Sequence, residues 1–152
     1  MAARGYTLIE LVLVIVIIGV LATVSGAHFF DQPTFSQRGF ADELASALRF
    51  AQKQAVETDC PTELILTSST YALRQQAASG NTCNLNDTAW STPVLASDGS
   101  TVQGTAPNGV TASPAGTFVF NGAGVLTSSG TTITVGTHSI TIVAATGLVQ
   151  VN

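Results

Sequence analysis

Charge is what this chain has least of. Only 9% of its 152 residues are charged, nine acidic and five basic, for a formal net charge of -4. From Thr101 to Asn152 there is no Asp, Glu, Lys or Arg, and past Arg74 there is no basic residue. A chain with so few Lys and Arg lacks the basic surface needed to neutralise phosphates, so no nucleic-acid partner is expected. The two histidines are equally isolated. His28 lies in an apolar segment, and His138 has no acidic residue in the C-terminal third to orient it, so no Ser-His-Asp or Cys-His arrangement can be assembled. No glycine-rich phosphate loop precedes a helix, and Asn121-Gly122-Ala123-Gly124 reads as a turn. Asp87 and Asp98 are too sparse for a calcium cage, which takes about six to eight oxygens. No catalytic residue, metal or cofactor is therefore expected, and the chain is not read as an enzyme.

Cysteine is scarce too. Cys60 and Cys83 are the only two, so they either pair with each other or both stay free. Without a Cys-x-x-Cys a redox role is not supported, and zinc would need two more ligands that the spacing does not supply. A structural disulfide in an oxidising compartment is the expected outcome, contributing about 3 kcal/mol in the chain-entropy model.

What the chain does have is a run from Leu11 to Ala27 with no charge, preceded directly by Gly5-Tyr6-Thr7-Leu8-Ile9-Glu10. A helix of about 20 residues would span a bilayer. Arg4 lies on the side that the positive-inside rule assigns to the cytoplasm, which puts the rest of the chain in the periplasm or outside. Glu10 is then the anomaly, because a charge within such a span costs about 2.5–3.5 kcal/mol unless it meets a partner. Cleavage after Gly5 would make one: the new α-amino group of Tyr6, facing the Glu10 of a neighbouring subunit. The competing reading is a secretory signal cut after Ala27 in Ser25-Gly26-Ala27, or a plain signal anchor. Glu10 stands where such a signal is apolar, and Phe29 and Phe30 carry the apolar character past that cut.

These residues resemble the start of the type IV pilin-like family. There a short basic leader ending in Gly is followed by an aromatic residue, usually Phe and here Tyr6, and then by Thr-Leu-Ile-Glu. The resemblance implies removal of leader 1–5 by prepilin peptidase, N-methylation of Tyr6 and a register-setting role for Glu10. It also implies a single-pass stay in the bacterial inner membrane, then transfer by an inner-membrane assembly platform into a filament of homologous major and minor pilins. Many family members carry a proline at the position of Ala27.

Beyond the stem, taken as residues 6–30, one head domain is expected over 31–152. Phe40, Leu44, Ala47, Leu48, Ala51 and Ala55 share an arc at the helical period, with Asp42, Arg49, Lys53 and Glu57 opposite. This predicts an amphipathic helix over 35–59, ended by Pro61 and packed on a sheet. Joined to the stem it would be about 80 Å long, interrupted at Gly26 and Pro33. The β-rich part, 62–152, begins with a hairpin of Thr62–Thr67 and Thr70–Gln76 joined through Ser68 and Ser69. An irregular region follows from Asn81 to Pro114, holding the short run Pro93-Val94-Leu95 and pinned by Cys83 and Trp90. Phe118–Phe120, Thr132–Val135, Ser139–Val143 and Leu148–Val151 are then read as a second, uncharged sheet. The fold class is α+β.

Arg38-Gly39-Phe40-Ala41-Asp42-Glu43-Leu44, Leu48-Arg49-Phe50-Ala51-Gln52, Cys60, the Tyr71-x-Leu73 strand and Phe118 through Gly122 are similar to the minor pilins of the mannose-sensitive haemagglutinin pilus. They are similar also to the minor pseudopilin H of type II secretion. That implies a non-enzymatic minor pilin that initiates, caps or modifies a filament, with a type II secretion pseudopilin as the alternative. A DNA-uptake subunit is disfavoured by the missing basic residues. An adhesin stacking sugars on Trp90 or Tyr71 is the remaining reading.

Overall fold

A computed structural model of the chain describes residues 7–25, 32–79, 82–128 and 131–152. The chain divides into two compact units, residues 1–32 and 33–152.

The first unit contains α1, Leu8–Ser25. Thr7 stands just ahead of it, and its carbonyl accepts from the N–H groups of Glu10 (3.1 Å) and Leu11 (3.3 Å). Apart from Glu10, the helix is apolar on every side, the pattern of a helix that is buried all round in its working state. Its 18 residues make about 27 Å, against a hydrocarbon core of about 30 Å. Among the described residues, no helix is long and apolar enough to cross a membrane. The interruption expected at Gly26 lies outside the described residues.

The second unit is an α+β head. Its helix, α2, runs Gln32–Thr58 and so starts three residues before the expected 35. Pro33 does not interrupt it. The proline occupies the first turn, where a missing N–H costs nothing and φ already suits a helix. All six residues of the expected apolar arc are buried, together with Ala41 and Ala45. At the other end Asp59 takes φ +51°, a left-handed cap, before Cys60 and Pro61.

α2 packs on two antiparallel sheets. In the first, β1 (Thr62–Leu66) lies between β2 (Thr70–Gln75) and β8 (Gly116–Phe120). The expected hairpin is present, with Leu64 opposite Leu73 and Leu66 opposite Tyr71. β5 (Thr92–Pro93) and β6 (Gln103–Thr105) pair with the far edge of β2. The second sheet has the order β11-β10-β9-β7, from Leu148–Val151, His138–Val143, Thr132–Val135 and Ala112–Ser113. A separate ribbon pairs β3 (Ala78–Ser79) with β4 (Thr82–Cys83).

Two expectations are corrected here. Phe118–Phe120 belongs to the first sheet: Phe118 sits opposite Leu64 and Phe120 opposite Thr62, and both rings are buried. The second sheet remains free of charged side chains, as expected. The region 81–114 is not wholly irregular, because β4 to β7 lie within it. Runs of two or three residues are too short to display the period of two from which a strand is read.

The core combines the apolar stripe of α2 with Leu64, Leu66, Leu73, Phe118 and Phe120 of the first sheet and Ile133, Val135, Ile140, Ile142 and Val149 of the second.

Candidate functional site

The stem supplies one candidate surface. Glu10 lies in the first turn of α1, where its negative charge is favoured by the helix dipole. Thr7 and Glu10 occupy the N-cap and N3 positions, the Thr-x-x-Glu spacing of a capping box. That spacing is legible in the sequence. Leu11, Val14 and Ile15 line the hollow beside its carboxylate. Among the described residues Glu10 makes no ion pair. Leu8, Ile9, Leu11, Val12, Val14, Ile15 and Ile18 are between 40% and 81% exposed. An apolar helix left in water in this way marks a surface meant for lipid or for other helices. Gly5 and Tyr6 lie outside the described residues.

In the head the candidate polar residues of the sequence are held by neighbours within the fold. Cys60 and Cys83 are bonded to each other with Cα atoms 5.3 Å apart, tying the end of α2 to the β3-β4 ribbon. Asp87 is engaged by its own loop. Its carboxylate accepts from the N–H groups of Ala77 (2.7 Å), Ala89 (3.0 Å) and Ser91 (3.2 Å) and from the Ser91 hydroxyl (3.1 Å). Those donors hold its pKa below the usual carboxylate value. Asp98 is likewise depressed, first by the Ser100 hydroxyl and then by the Ser100 N–H. Among the described residues no group of three or more His, Cys, Asp and Glu could hold a metal. Asn121-Gly122-Ala123-Gly124 is a turn, with Asn121 Oδ1 accepting from Ala123 N–H (3.1 Å) and Val125 N–H (3.0 Å). His138 Nε2 is buried with no partner among the described residues. His28 lies outside them.

A model of the family described as type II transport protein GspH matches residues 41–151. The chain belongs to the GspH family. The motif described as the prokaryotic N-terminal methylation motif matches residues 1–26. The type IV narrow pilus major component PilA5 of Thermus thermophilus is 43% identical over 51 residues, 34% of this chain and 44% of that relative. The GspH-family chain thus spans less than half of that relative's length. No solved structure matches it. It is a type IV pilin-like or pseudopilin-like structural protein carrying an N-methylation motif.

In the GspH-family head, the polar residues of α2 do more than face water. Arg49 Nη2 donates to the Val149 carbonyl at 3.1 Å, on the edge strand β11. Gln52 Nε2 donates to Gly124 O (3.0 Å) and Thr146 O (2.8 Å), so one amide holds two loops. Tyr71, considered above as a sugar platform, is 6% exposed, and its hydroxyl donates to Glu43. A buried ring cannot stack a glycan. Glu63, on the outward face of β1, is 5% exposed, and burial raises its pKa while Arg74 across the ladder opposes the rise. No periodicity argument predicts these tethers, because each joins residues distant in sequence.

Proposed function

We propose that this chain is a non-enzymatic minor filament subunit, made as a prepilin and assembled into a type IV pilus that it initiates, caps or modifies. The observation that carries this is Glu10 in the first turn of an exposed helix that is otherwise apolar all round. Leader 1–5 would be cut at Gly5-Tyr6 and the new Tyr6 amine methylated. Before assembly the stem, taken as 6–30, would sit once through the inner membrane with the head, 31–152, in the periplasm. The charge-free run reaches Ala27, beyond the end of α1, and would supply the missing length. An assembly platform would then lift it into a bundle of like stems. There Leu8, Ile9, Leu11, Val12, Val14, Ile15 and Ile18 pack, and Glu10 sets register by meeting an amine. Either charge left unpaired in that bundle would cost several kcal/mol.

Intact-mass and N-terminal analysis of the protein from native membranes tests this. A chain beginning at N-methylated Tyr6 is the expected result. A start at His28, or an uncut Met1, would overturn it.

The description of the matched family favours a second reading, a minor pseudopilin of type II secretion. Shearing cells separates the two. A processed chain recovered with surface filaments supports the pilus, and one retained in the envelope of secreting cells supports the pseudopilus.

A further inference from the structure

We propose that Phe35 and Arg38 of one copy of this chain dock into the groove between α2 and the 94–102 hairpin of a second copy. The two halves of this contact are complementary and both lie on the head. Phe35 is 87% exposed, the most exposed large apolar side chain described. Arg38, one turn on, is held among the described residues only by Asp42 at 3.9 Å, with 74% of its own side chain exposed. Together they offer an aromatic ring and a cation on one helical surface, with Gly39 beside them.

The groove offers the converse. Its cavity of about 380 Å³ is walled by Glu43, Ser46 and Phe50 of α2, Tyr71 of β2, and Ser97 and Val102 of the hairpin. Such a volume is of the size that holds one small, mostly apolar group, within about 300–1,000 Å³. The hairpin is built to stand there. Val102 N–H donates to Val94 O (2.9 Å), Ala96 N–H to Ser100 O (2.8 Å), and Gly99 takes φ +83° at the tip. Glu43 gives one oxygen to the Tyr71 hydroxyl. Its other oxygen accepts nothing among the described residues and is the acceptor for a guanidinium, which pairs strongly with carboxylate.

Placement along the helix defines how two copies meet. At about 100° per residue Phe35 lies opposite the core stripe, Arg38 to one side of it, and Glu43 and Phe50 to the other. Donor and acceptor surfaces are therefore about 100° apart around α2 and about 15 Å apart along it. Two copies with parallel helices, turned by about 80° and offset by that step, bring one onto the other. The contact is heterologous, so it extends an open helix rather than closing a dimer. It rests on the filament-subunit reading above and requires only that two copies be adjacent.

Crosslinking of full-length chains tests it. The sequence has only Cys60 and Cys83, bonded to each other, so an added cysteine reacts without competition. Two differently tagged copies are co-expressed in the native host, one carrying Gly39→Cys, where a side chain meets nothing within 4 Å, the other Ser97→Cys. Mild oxidation of sheared filaments is expected to give a mixed-tag dimer that vanishes when either cysteine is omitted. Adding Phe35→Ala or Arg38→Glu to the Gly39→Cys copy is expected to lower its yield about tenfold. Filaments that contain both processed copies without the mixed dimer overturn the proposal alone, as does preferential Gly39→Cys self-linkage. Absence of the processed chain from all filaments overturns the filament reading with it.

Discussion

The Tyr71 hydroxyl donates to Glu43 Oε1 at 2.7 Å, and this bond helps to fasten the first sheet to α2. The same ring lies 6.2 Å from that of Phe40, tilted by 43°, so the phenol has an apolar body in the core and its polar end at the surface. Tyr71→Phe is expected to cost about 1 kcal/mol in urea unfolding, because Glu43 can turn to water, and Glu43→Gln, which keeps an acceptor, less. The phenol pKa is raised above its ordinary 10.0, first by burial and then by Glu43. The unfolded chain therefore ionises from about pH 10 while the native one does not. Stability is lost as pH rises past that value, and phenolate absorbance from Tyr71 appears only with unfolding.

Gly104 faces Tyr71 across the β2-β6 ladder. A Cβ there would lie 2.5 Å from Tyr71 Cε1 and collide with Glu43 Oε1. Gly104→Ala is expected to destabilise the head by about 1–3 kcal/mol, as overpacking does. Gly116→Ala, where a Cβ meets nothing within 4 Å, should stay within about 0.5 kcal/mol in the same urea titration.

Gln52→Ala removes both bonds that hold the 124 and 146 loops and is expected to cost about 1–2 kcal/mol. Leu48→Ala, at a fully buried position, should cost about 2–5 kcal/mol. If Gln52→Ala were silent in thermal unfolding while Leu48→Ala was not, the two loop tethers would carry no energetic weight.

Acid unfolding separates two kinds of carboxylate. Asp87 and Asp98 have folded pKa values below the ordinary 3.8. Their stabilisation is present above that value and is lost as pH falls through the lowered one. Glu63 runs the other way, since its raised pKa means that the charged form burdens the fold at neutral pH. Glu63→Gln is expected to raise stability at pH 7 and to lose that advantage as pH falls through the raised value toward the ordinary 4.5. Asp87→Ala should lower stability at pH 7 and flatten the acid limb.

Glu10→Ala and Gly5→Ala are expected to abolish incorporation into filaments while leaving the unfolding of the head unchanged. Immunoblots of sheared filaments give the readout, and wild-type incorporation of Glu10→Ala would sink the charge-pairing account.

The stem motif, the amphipathic face of α2, its end before Pro61 and the hairpin at Ser68-Ser69 are all legible in the residues. Each is a local matter: a cleavage context, a helical period, a backbone restriction, a short turn between alternating strands. The start of α2 is less legible, because Pro33 reads as an interruption in sequence, whereas proline in a first turn is compatible with helix. The sheet to which Phe118–Phe120 belongs is not legible at all, because strand propensity says nothing about which edge a strand pairs with.

The residues by themselves determined that this chain is an apolar stem joined to one α+β head with few charges, since composition and period act within a few turns of chain. Tertiary structure alone decided that Arg49, Gln52 and Glu43 fasten α2 to the strands and loops of the head. Those partners lie 28 to 100 residues apart, and only the closed packing of α2 on two sheets brings their donors and acceptors within reach.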